Sequence, residues 1–240
     1  PVHRVRFVDW SPSAITALAL SPVAWTESAA AGRSVLAIGR DNGNIDLCTW
    51  CEGQSGSIAQ GWSPVWTLLG EENYKIESLA FTASASHLRL FSTSGGSIVS
   101  EHFLPSSLTG QQAADTRTPT RTLSSHGGAI WSMAASPTGK FLAIGCEDGV
   151  VRLIDVAGDA FEHVGTGMHV APRMTRVASR ILSLAWGPPR RQMATSSDSD
   201  DDNDEAWRDT YLLGGLGNST AAVWDVPTGQ LKSRLTVLKN

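Results

Sequence analysis

The chain has 240 residues, of which 41% are hydrophobic and 18% charged, so it can bury a substantial core in one large domain or two small ones. Its formal net charge of −4 argues against a uniformly basic nucleic-acid-binding domain, although a local basic patch is compatible with it. The sequence shows neither a long apolar run that could cross a membrane nor a secretory signal, and its three cysteines favour a reducing compartment, cytosolic or nuclear, over a disulfide framework.

Four segments along the chain share one pattern: an apolar strand, a turn, a second apolar strand, a tight turn and a third strand. They occupy 15–22 with 34–50, 76–83 with 87–103, 130–156, and 181–189 with 211–226. The apolar stretches are short, are bounded by Gly, Pro, Asn or Ser, and lack sustained helical periodicity, which predicts β-strands. A less regular fourth strand is predicted in each unit, at 64–69, 119–125, 161–167 and 230–238.

The tight turns keep a register along the chain. The turn position falls at Gly43, Gly96, Gly149 and Ser219. Asp41-Asn42-Gly43 and Asp148-Gly149 are typical of two-residue hairpin turns, which need positive φ. The last interval is longer than the other two because of the segment 192–209, which contains SSDSDDDNDE. A segment of this composition cannot bury apolar area, so it is predicted to be an acidic disordered insertion.

One such unit is a small sheet with two apolar faces, and radial stacking of the units buries both. The repeat spacing lies near the range of about 40–50 residues that is typical of propeller blades. The sequence therefore predicts an all-β fold in which residues 1–240 form part of one β-propeller. Its repeats are expected at about 9–70, 71–125, 126–168 and 169–240, with 2–8 as a strand that closes the last blade of the ring.

The fourth unit contains Trp224-Asp225, the dipeptide typical of the WD-repeat family, and the four units resemble blades of that family. Family blades often use a hydrogen-bonded tetrad of Trp, Ser or Thr, His and Asp. His126 and Asp148 match two of these positions in the third unit, and Asn218 occupies the Asp position in the fourth. The resemblance implies structural roles for these residues. It also implies a ring of about seven blades, of which four would form an open part with exposed strand edges.

Two stretches resemble a narrower group, the cirhin family, whose members are t-UTP subunits of the small-subunit processome. VHRVRF at 2–7 and HGGAIWSMAASPTGKFLAIGCEDGVVRLIDV at 126–156 are similar to the N-terminal propeller of that family. The resemblance implies a nucleolar scaffold in early pre-18S rRNA processing and ribosome biogenesis. Its implied partners are other t-UTP subunits and processome proteins, together with the 5′ external transcribed spacer of pre-rRNA. Because the family has a second propeller and a helical tail, this would be the first part of a longer protein.

No catalytic residue, cofactor, metal or small-molecule substrate is expected. Cys48-Thr-Trp-Cys51 is a C-x-x-C motif, but it lies at the end of a predicted strand and has no second ligand pair. His126 could act as a base, yet the sequence has no nucleophile elbow and no carboxylate pair within a motif, so this histidine is expected to bond within its blade. Glycine motifs that cradle phosphates are also missing.

Arginines cluster in the connections around the fourth unit. Arg173, Arg176, Arg180, Arg190 and Arg191 lie before and after its first strand, and Arg117 and Arg121 precede the third unit. Because blade connections emerge on the faces of a propeller, these arginines are expected to form a patch that contacts RNA phosphates or a protein partner. The alternative is that they are only solvated. Interleaved aromatic residues are not evident, so base stacking is not expected.

Two further alternatives stay open at the level of function. One is a generic WD-repeat adaptor, such as a ubiquitin-ligase substrate receptor or a signalling scaffold. The other is an enzyme framed by a propeller, which would need titratable groups that converge on the central channel. The acidic residues are either a solvated loop or a segment that docks a basic partner or is phosphorylated. They are Asp198, Asp200, Asp201, Asp202, Asp204 and Glu205.

Overall fold

The computed structural model describes eight ranges of the chain, and all regular elements in them are β-strands. The ranges are 13–22, 34–51, 61–70, 74–83, 88–104, 121–165, 173–191 and 207–236. The closing strand predicted at 2–8 lies outside them. Within these ranges the structure contains no helix of the length and apolar character that a membrane span requires.

Four antiparallel four-stranded sheets follow one another along the chain. The first contains β1 (Ile15–Leu20), β2 (Val35–Arg40), β3 (Ile45–Cys51) and β4 (Gly61–Leu68). The second contains β5 (Ser78–Ala83), β6 (Leu88–Thr93), β7 (Ile98–Phe103) and β8 (Arg121–Ser124). The third contains β9 (Ile130–Ala135), β10 (Phe141–Cys146), β11 (Val151–Asp155) and β12 (Glu162–His163).

The fourth sheet is interrupted after its first strand. β13 (Ile181–Trp186) is followed by two short strands, β14 (Arg190–Arg191) and β15 (Trp207–Arg208), which pair with each other as a separate two-stranded ribbon. The sheet then continues with β16 (Tyr211–Leu216), β17 (Thr220–Asp225) and β18 (Gln230–Thr236).

Each of the four four-stranded sheets forms one blade. The first strands of successive blades contact one another, β1 with β5, β5 with β9, and β9 with β13, so these strands line the inner wall. This arrangement confirms the predicted all-β propeller fold with four blades. Because neighbouring strands in each blade are antiparallel, the strand ends lie on two opposite faces of the propeller. The upper face carries the turns between second and third strands and the connections into each next blade, whereas the lower face carries the other turns.

Hydrophobic clusters fill the junctions between neighbouring blades. The clusters contain both large and small side chains from the two neighbouring blades. Ile181 and Leu212 of blade 4, for example, pack with Ala143 of blade 3. A Cβ atom at Gly145 would lie 2.7 Å from Ile181 Cγ2, so a larger residue would separate the two blades. Burial of each large side chain contributes about 1.5–3 kcal/mol.

Blades 1 and 4 expose apolar side chains on the sheet faces that are turned away from blades 2 and 3. On blade 1, Leu18 is 61% and Trp62 is 41% exposed, and on blade 4, Leu213 is 41% and Leu235 is 58% exposed. Isolated exposed leucines are ordinary, but a contiguous apolar sheet face normally meets another surface. The exposure therefore fits the predicted part of a larger ring.

The turns between second and third strands differ in detail from the prediction. Gly43 (φ 86°), Gly149 (φ 77°) and Ser219 (φ 63°) have positive φ as expected, but in blade 2 the residue with positive φ is Gly95 (71°) and not Gly96. Asn42 is not among the residues with positive φ, whereas a two-residue type I′ turn needs two of them. The two-residue turns are therefore a wrong prediction, and longer turns with one left-handed residue connect these strands.

The acidic insertion ends earlier than the predicted limit of 209. Residues 192–206 lie outside the described ranges, but Trp207–Arg208 form β15 and Asp209 is only 6% exposed. The Asp209 carboxylate accepts a hydrogen bond from the Thr138 hydroxyl of blade 3. The prediction is wrong for 207–209 because local composition does not show that Trp207 and Arg208 pair with β14 or that Asp209 has a partner in another blade.

Candidate functional site

His126 and Asp148, which match two tetrad positions, are joined through a third residue, Arg152. Arg152 donates to both carboxylate oxygens of Asp148, at 3.0 Å from Nη1 and 2.7 Å from Nη2, and Nη2 also lies 3.2 Å from the His126 carbonyl oxygen. Burial alone would raise the pKa of Asp148, but the hydrogen bonds from Arg152 and from the Val150 N–H hold that pKa below its ordinary value. Asp148 is therefore held as the ion-pair partner of Arg152 within blade 3.

The His126 side chain packs within its own blade. Its backbone has φ 54°, and its ring centroid lies 5.3 Å from that of His163 on β12. His163 Nε2 in turn contacts the carbonyl oxygen of Ser124 at 2.7 Å. In the described part of the chain, no group of three or more His, Cys, Asp or Glu side chains is placed to hold a metal ion.

The Trp224-Asp225 dipeptide also has a structural position. Trp224 is fully buried, and its indole N–H donates to the Thr175 carbonyl oxygen at 2.8 Å, which fastens the connection into blade 4. The Asp225 carboxylate accepts a hydrogen bond from the Thr228 hydroxyl at 2.5 Å, which closes the turn after β17. Both residues therefore hold the blade together.

The first cysteine of the C-x-x-C motif is unsuited to redox chemistry. Cys48 lies within β3 and is 5% exposed. Burial, together with the charge of Asp46, raises the pKa of the Cys48 thiol, whereas a reactive cysteine needs a lowered pKa.

On the upper face, Arg173, Arg176 and Arg180 are exposed, and two of them have partners. Arg176 Nε donates to the Asp148 carbonyl oxygen at 2.8 Å. The Arg180 guanidinium lies 4.9 Å from the ring centroid of Trp131, whose indole N–H donates to the Glu147 carboxylate. These contacts hold the arginines against the protein surface and place a carboxylate beside them.

A cleft of about 500 Å³ opens next to these upper-face arginines. Its walls come from the turn between β10 and β11, from the connection into blade 4, and from β18. They are formed by Glu147, Asp148, Arg176, Val177, Ala178, Ser179 and Arg234. The cleft therefore has acidic as well as basic groups in its walls.

On the lower face, Arg190 and Arg191 form β14 and are exposed, as are Trp207 and Arg208 of β15. Arg190 is opposite Arg208 and Arg191 is opposite Trp207. The Arg190 guanidinium lies 5.0 Å from the ring centroid of Tyr211. An exposed aromatic residue thus accompanies the arginines, contrary to the expectation from the sequence.

A second cleft, of about 440 Å³, separates the β14–β15 ribbon from blade 3. It is lined by Pro137, Thr138, Lys140, Pro189 and Trp207. Trp207 is 52% exposed, and no hydrogen bond is found for its indole N–H within the described ranges. Sequence reasoning missed this tryptophan because it follows the acidic segment. The sequence feature that could have indicated this site is an aromatic residue directly followed by a basic residue in an otherwise polar stretch.

Arg121 differs from the other predicted contact arginines because its guanidinium is bound within the fold. Nε lies 2.6 Å from Glu101 Oε2, and Nη1 donates to the Asp159 carbonyl oxygen at 2.9 Å. Glu101 also accepts from Arg89 Nε at 2.5 Å, and both of these side chains are completely buried. Arg117 lies outside the described ranges.

The arginines around the first strand of blade 4 do not form a single patch. Arg173, Arg176 and Arg180 precede β13 and lie on the upper face, whereas Arg190 and Arg191 follow β13 and lie on the lower face. A six-residue strand separates the two groups by about 20 Å. Residues that are close in sequence are therefore on opposite sides of the propeller.

Comparison with known proteins gives a repeat family and several relatives. Residues 117–155 match the family model described as "WD domain, G-beta repeat". The chain is 31% identical over 239 residues to "U3 small nucleolar RNA-associated protein 4" of Schizosaccharomyces pombe, covering 98% of this chain and 28% of the relative. It is 30% identical over 224 residues to the Saccharomyces cerevisiae protein of the same name, with 93% and 23% covered. The Homo sapiens homolog is 30% identical over 196 residues, with 82% and 23% covered.

Solved structures with the same fold are more distant in sequence. A chain of the mitotic checkpoint complex superposes with a TM-score of 0.52 at 18% identity, covering 84% of this chain and 49% of that one. A chain of a humanized Chaetomium thermophilum Polycomb Repressive Complex 2 gives a TM-score of 0.61 at 13% identity, covering 93% and 42%. At these identities the likeness concerns the fold alone.

Proposed function

Since the chain is a WD40-repeat propeller similar over most of its length to U3 small nucleolar RNA-associated protein 4, we propose that it is a scaffold subunit of the small-subunit processome. In this role it belongs to the t-UTP subcomplex, acts in early pre-18S rRNA processing and works in the nucleolus. The chain spans 28% of the S. pombe relative and 23% of the S. cerevisiae relative, so the proposal concerns the function of the whole protein to which this propeller belongs.

The similarity across 98% of the chain is the observation that carries the proposal, because it extends far beyond the single matched repeat at 117–155. The geometry supports a mechanism without bond making or breaking. Among the described residues, the ring of His126, the histidine that could act as a base, lies against the ring of His163, and the Asp148 carboxylate is paired with Arg152. Such a protein acts by rigid presentation of its faces and edges to several partners.

The exposed arginines are the proposed contacts on those faces. Arg173, Arg176 and Arg180 on the upper face, with Arg190 and Arg191 on the lower face, present guanidinium groups that can bind phosphates or acidic side chains. Arg121 is left out of this set because Glu101 and a backbone carbonyl already occupy its donors. The partners proposed are other t-UTP subunits and the 5′ external transcribed spacer of pre-rRNA.

Affinity capture of the full-length protein from nuclear extract, followed by mass spectrometry and RNA sequencing, tests this function. We expect t-UTP subunits together with 5′ spacer RNA. Recovery of cullin or signalling proteins without that RNA would overturn the proposal in favour of a generic adaptor. A matched capture with Trp224→Ala reports on the need for a folded propeller, because this substitution removes a fully buried side chain from blade 4.

A further inference from the structure

The cleft of about 500 Å³ on the upper face, which we call the upper cleft, has two arginines with unused donors in its walls. Arg176 lies in the connection into blade 4, and Arg234 lies on β18. Arg176 donates only from Nε, to the Asp148 carbonyl oxygen at 2.8 Å, so its two Nη atoms are without a partner in the described ranges. Arg234 is exposed and makes no hydrogen bond or ion pair with any described residue. Both guanidinium groups therefore keep N–H donors for a ligand.

The carboxylates in the same walls already have hydrogen-bond partners. Arg152 binds both oxygens of Asp148 from within blade 3, which neutralises the charge of that residue. Glu147 accepts a hydrogen bond from the Trp131 indole N–H, but no ion pair neutralises its charge within the described part of the chain. The two guanidinium groups thus share the cleft with one uncompensated carboxylate, which leaves an excess of positive charge and of donors.

The connection into blade 4 adds a hydroxyl group and a fixed backbone to the upper cleft. The Ser179 hydroxyl makes no hydrogen bond with any described residue. The Val177 N–H donates to the Gly149 carbonyl oxygen at 2.9 Å, and the Val177 side chain is buried. A Cβ atom at Gly149 would lie 2.2 Å from the Val177 carbonyl oxygen, so this close approach requires glycine. Because the wall is already held in place, a ligand would order few groups of the protein when it binds.

The balance of charge in the upper cleft indicates which ligand it suits. A guanidinium group binds a carboxylate through two parallel hydrogen bonds, and a small excess of positive charge matches a single carboxylate. An RNA backbone brings a negative charge with every nucleotide, and Glu147 would repel a row of phosphates. A polypeptide also brings backbone N–H groups, which the Glu147 carboxylate can accept. An acidic protein segment therefore suits both kinds of group in the walls.

We propose that the upper cleft binds a short acidic segment of a partner protein, with an aspartate or glutamate carboxylate held by Arg176 and Arg234. This rests on the proposed function and deepens it, since it gives the chemistry by which one face of the scaffold holds a protein partner. The Ser179 hydroxyl donates to an oxygen of the segment, and Glu147 accepts a hydrogen bond from its backbone.

The test measures binding of a fluorescein-labelled peptide of alternating glycine and glutamate to the full chain by anisotropy. Arg176→Gln and Arg234→Gln are each expected to weaken binding about fivefold, because each removes one exposed charge from the pair that holds the carboxylate. Binding should also weaken as the salt concentration rises, because salt screens exposed charges. Arg234→Gln breaks no hydrogen bond within the described ranges, so its effect is independent of the stability of the fold.

Arg208→Gln is the matched control, because Arg208 is also an exposed arginine before β16, but on the ribbon at the lower face. We expect this variant to bind the peptide as the unaltered chain does. Equal losses for all three variants would show that net charge alone attracts the peptide and would overturn the assignment. Unchanged binding in both Arg176→Gln and Arg234→Gln would overturn it too.

A labelled oligouridylate, measured in the same way, separates a protein partner from RNA. We expect the two upper-cleft variants to lose more affinity for the peptide than for the oligouridylate. If they lose more affinity for the oligouridylate, the upper cleft is an RNA site and the proposal is wrong.

Failure of this assignment differs from failure of the proposed function. If the full-length protein captures t-UTP subunits and pre-rRNA from extract but both upper-cleft variants bind the peptide normally, the cleft assignment is wrong and the scaffold function stands. If both variants lose affinity for the peptide but the extract yields neither t-UTP subunits nor pre-rRNA, the site is correct and the proposed function is wrong.

Discussion

The junction between blades 2 and 3 and the junction between blades 3 and 4 use arginine in opposite ways on the same lower face. At the first junction, Arg89 is completely buried, bonded to Glu101 and to the carbonyl oxygens of Val156 at 2.7 Å and Gly158 at 2.9 Å. At the second junction, Arg190 and Arg208 stand on an exposed ribbon above an open cleft.

The difference lies in the partners that surround each guanidinium group. Arg89 is enclosed by a carboxylate and by carbonyl groups of the next blade, and its guanidinium also lies 5.1 Å from the Phe91 ring centroid. A buried charge without such partners would be strongly unfavourable. Arg89 therefore fastens two blades, whereas Arg190 and Arg208 of the ribbon are exposed to solvent. We call the set Arg89, Glu101 and Arg121 the buried clasp.

The largest expected loss of stability follows from removing the negative charge of Glu101, which lies at the centre of the buried clasp. Glu101→Gln leaves Arg89 buried without a counter-charge, and we expect the free energy of unfolding to fall by about 3–5 kcal/mol. Equilibrium unfolding in urea measures this decrease in the free energy of unfolding. Glu147→Gln, an exposed acid on the upper face, serves as the control and should change stability by less than about 1 kcal/mol. A loss of similar size in the two variants would show that the clasp does not fasten the junction.

The second expected effect is a loss of stability at low pH, caused by His102 in blade 2. Burial lowers the pKa of His102 to about 4, although the charge of Glu101 opposes the shift. Because the unfolded chain binds this proton already near pH 6.5, stability should decrease as the pH falls from about 6.5 to about 4, by about 2 kcal/mol at pH 5.

Unfolding measured over that pH range should show this decrease in the unaltered chain. His102→Gln keeps a polar side chain near Ser92, whose hydroxyl lies 2.9 Å from the imidazole Nε2, and removes the titration. The decrease assigned to His102 should therefore be missing in the variant. An identical pH dependence in both proteins would contradict the assignment.

A smaller effect is expected at the anchor of the ribbon. Asp209→Ala removes the acceptor for Thr138, and a buried hydrogen bond of this kind contributes about 1–3 kcal/mol. Hydrogen exchange should then increase first in the ribbon and in the turn that contains Thr138, whereas blade 2 stays protected. Uniform loss of protection over all blades would contradict a local anchor.

The smallest effect on stability is expected for Trp207→Ala, within about 0.5 kcal/mol, because the side chain is 52% exposed. Trp224→Ala, which removes a fully buried tryptophan of the same blade, should cost about 3–5 kcal/mol. Thermal unfolding of the two variants separates them. A large loss for Trp207→Ala would mean that this residue belongs to the core of the junction and not to a binding surface.

Much of the fold could be predicted because its signals are local. Short apolar strands and the turn residues Gly43 and Gly149 recur in register, and a left-handed turn residue can be recognised without knowledge of its neighbours in space. The structural role of Trp224 also followed from its position in a repeat. The shift from Gly96 to Gly95 could not be predicted, since adjacent glycines offer the backbone two equivalent solutions.

The candidate site was harder to predict, because it depends on which end of a strand a residue occupies and on what lies across a junction. The sequence predicts Arg121 as a contact residue, but Glu101 binds its guanidinium group, and it predicts Trp207 within the acidic insertion, but Trp207 belongs to β15. Nothing in the sequence around Arg89 indicates that its partners come from a turn of the next blade.

The class of fold, the number of blades and most of the turn residues can be read from the sequence, since periodic apolar strands and positive-φ turns depend on local chemistry. Packing between the blades determines that Arg89 is buried, on which face each exposed arginine lies, and that Trp207 and Lys140 line the same cleft. Those outcomes depend on partners from other blades, and the cost or gain of placing a charge is fixed by the groups that surround it in space.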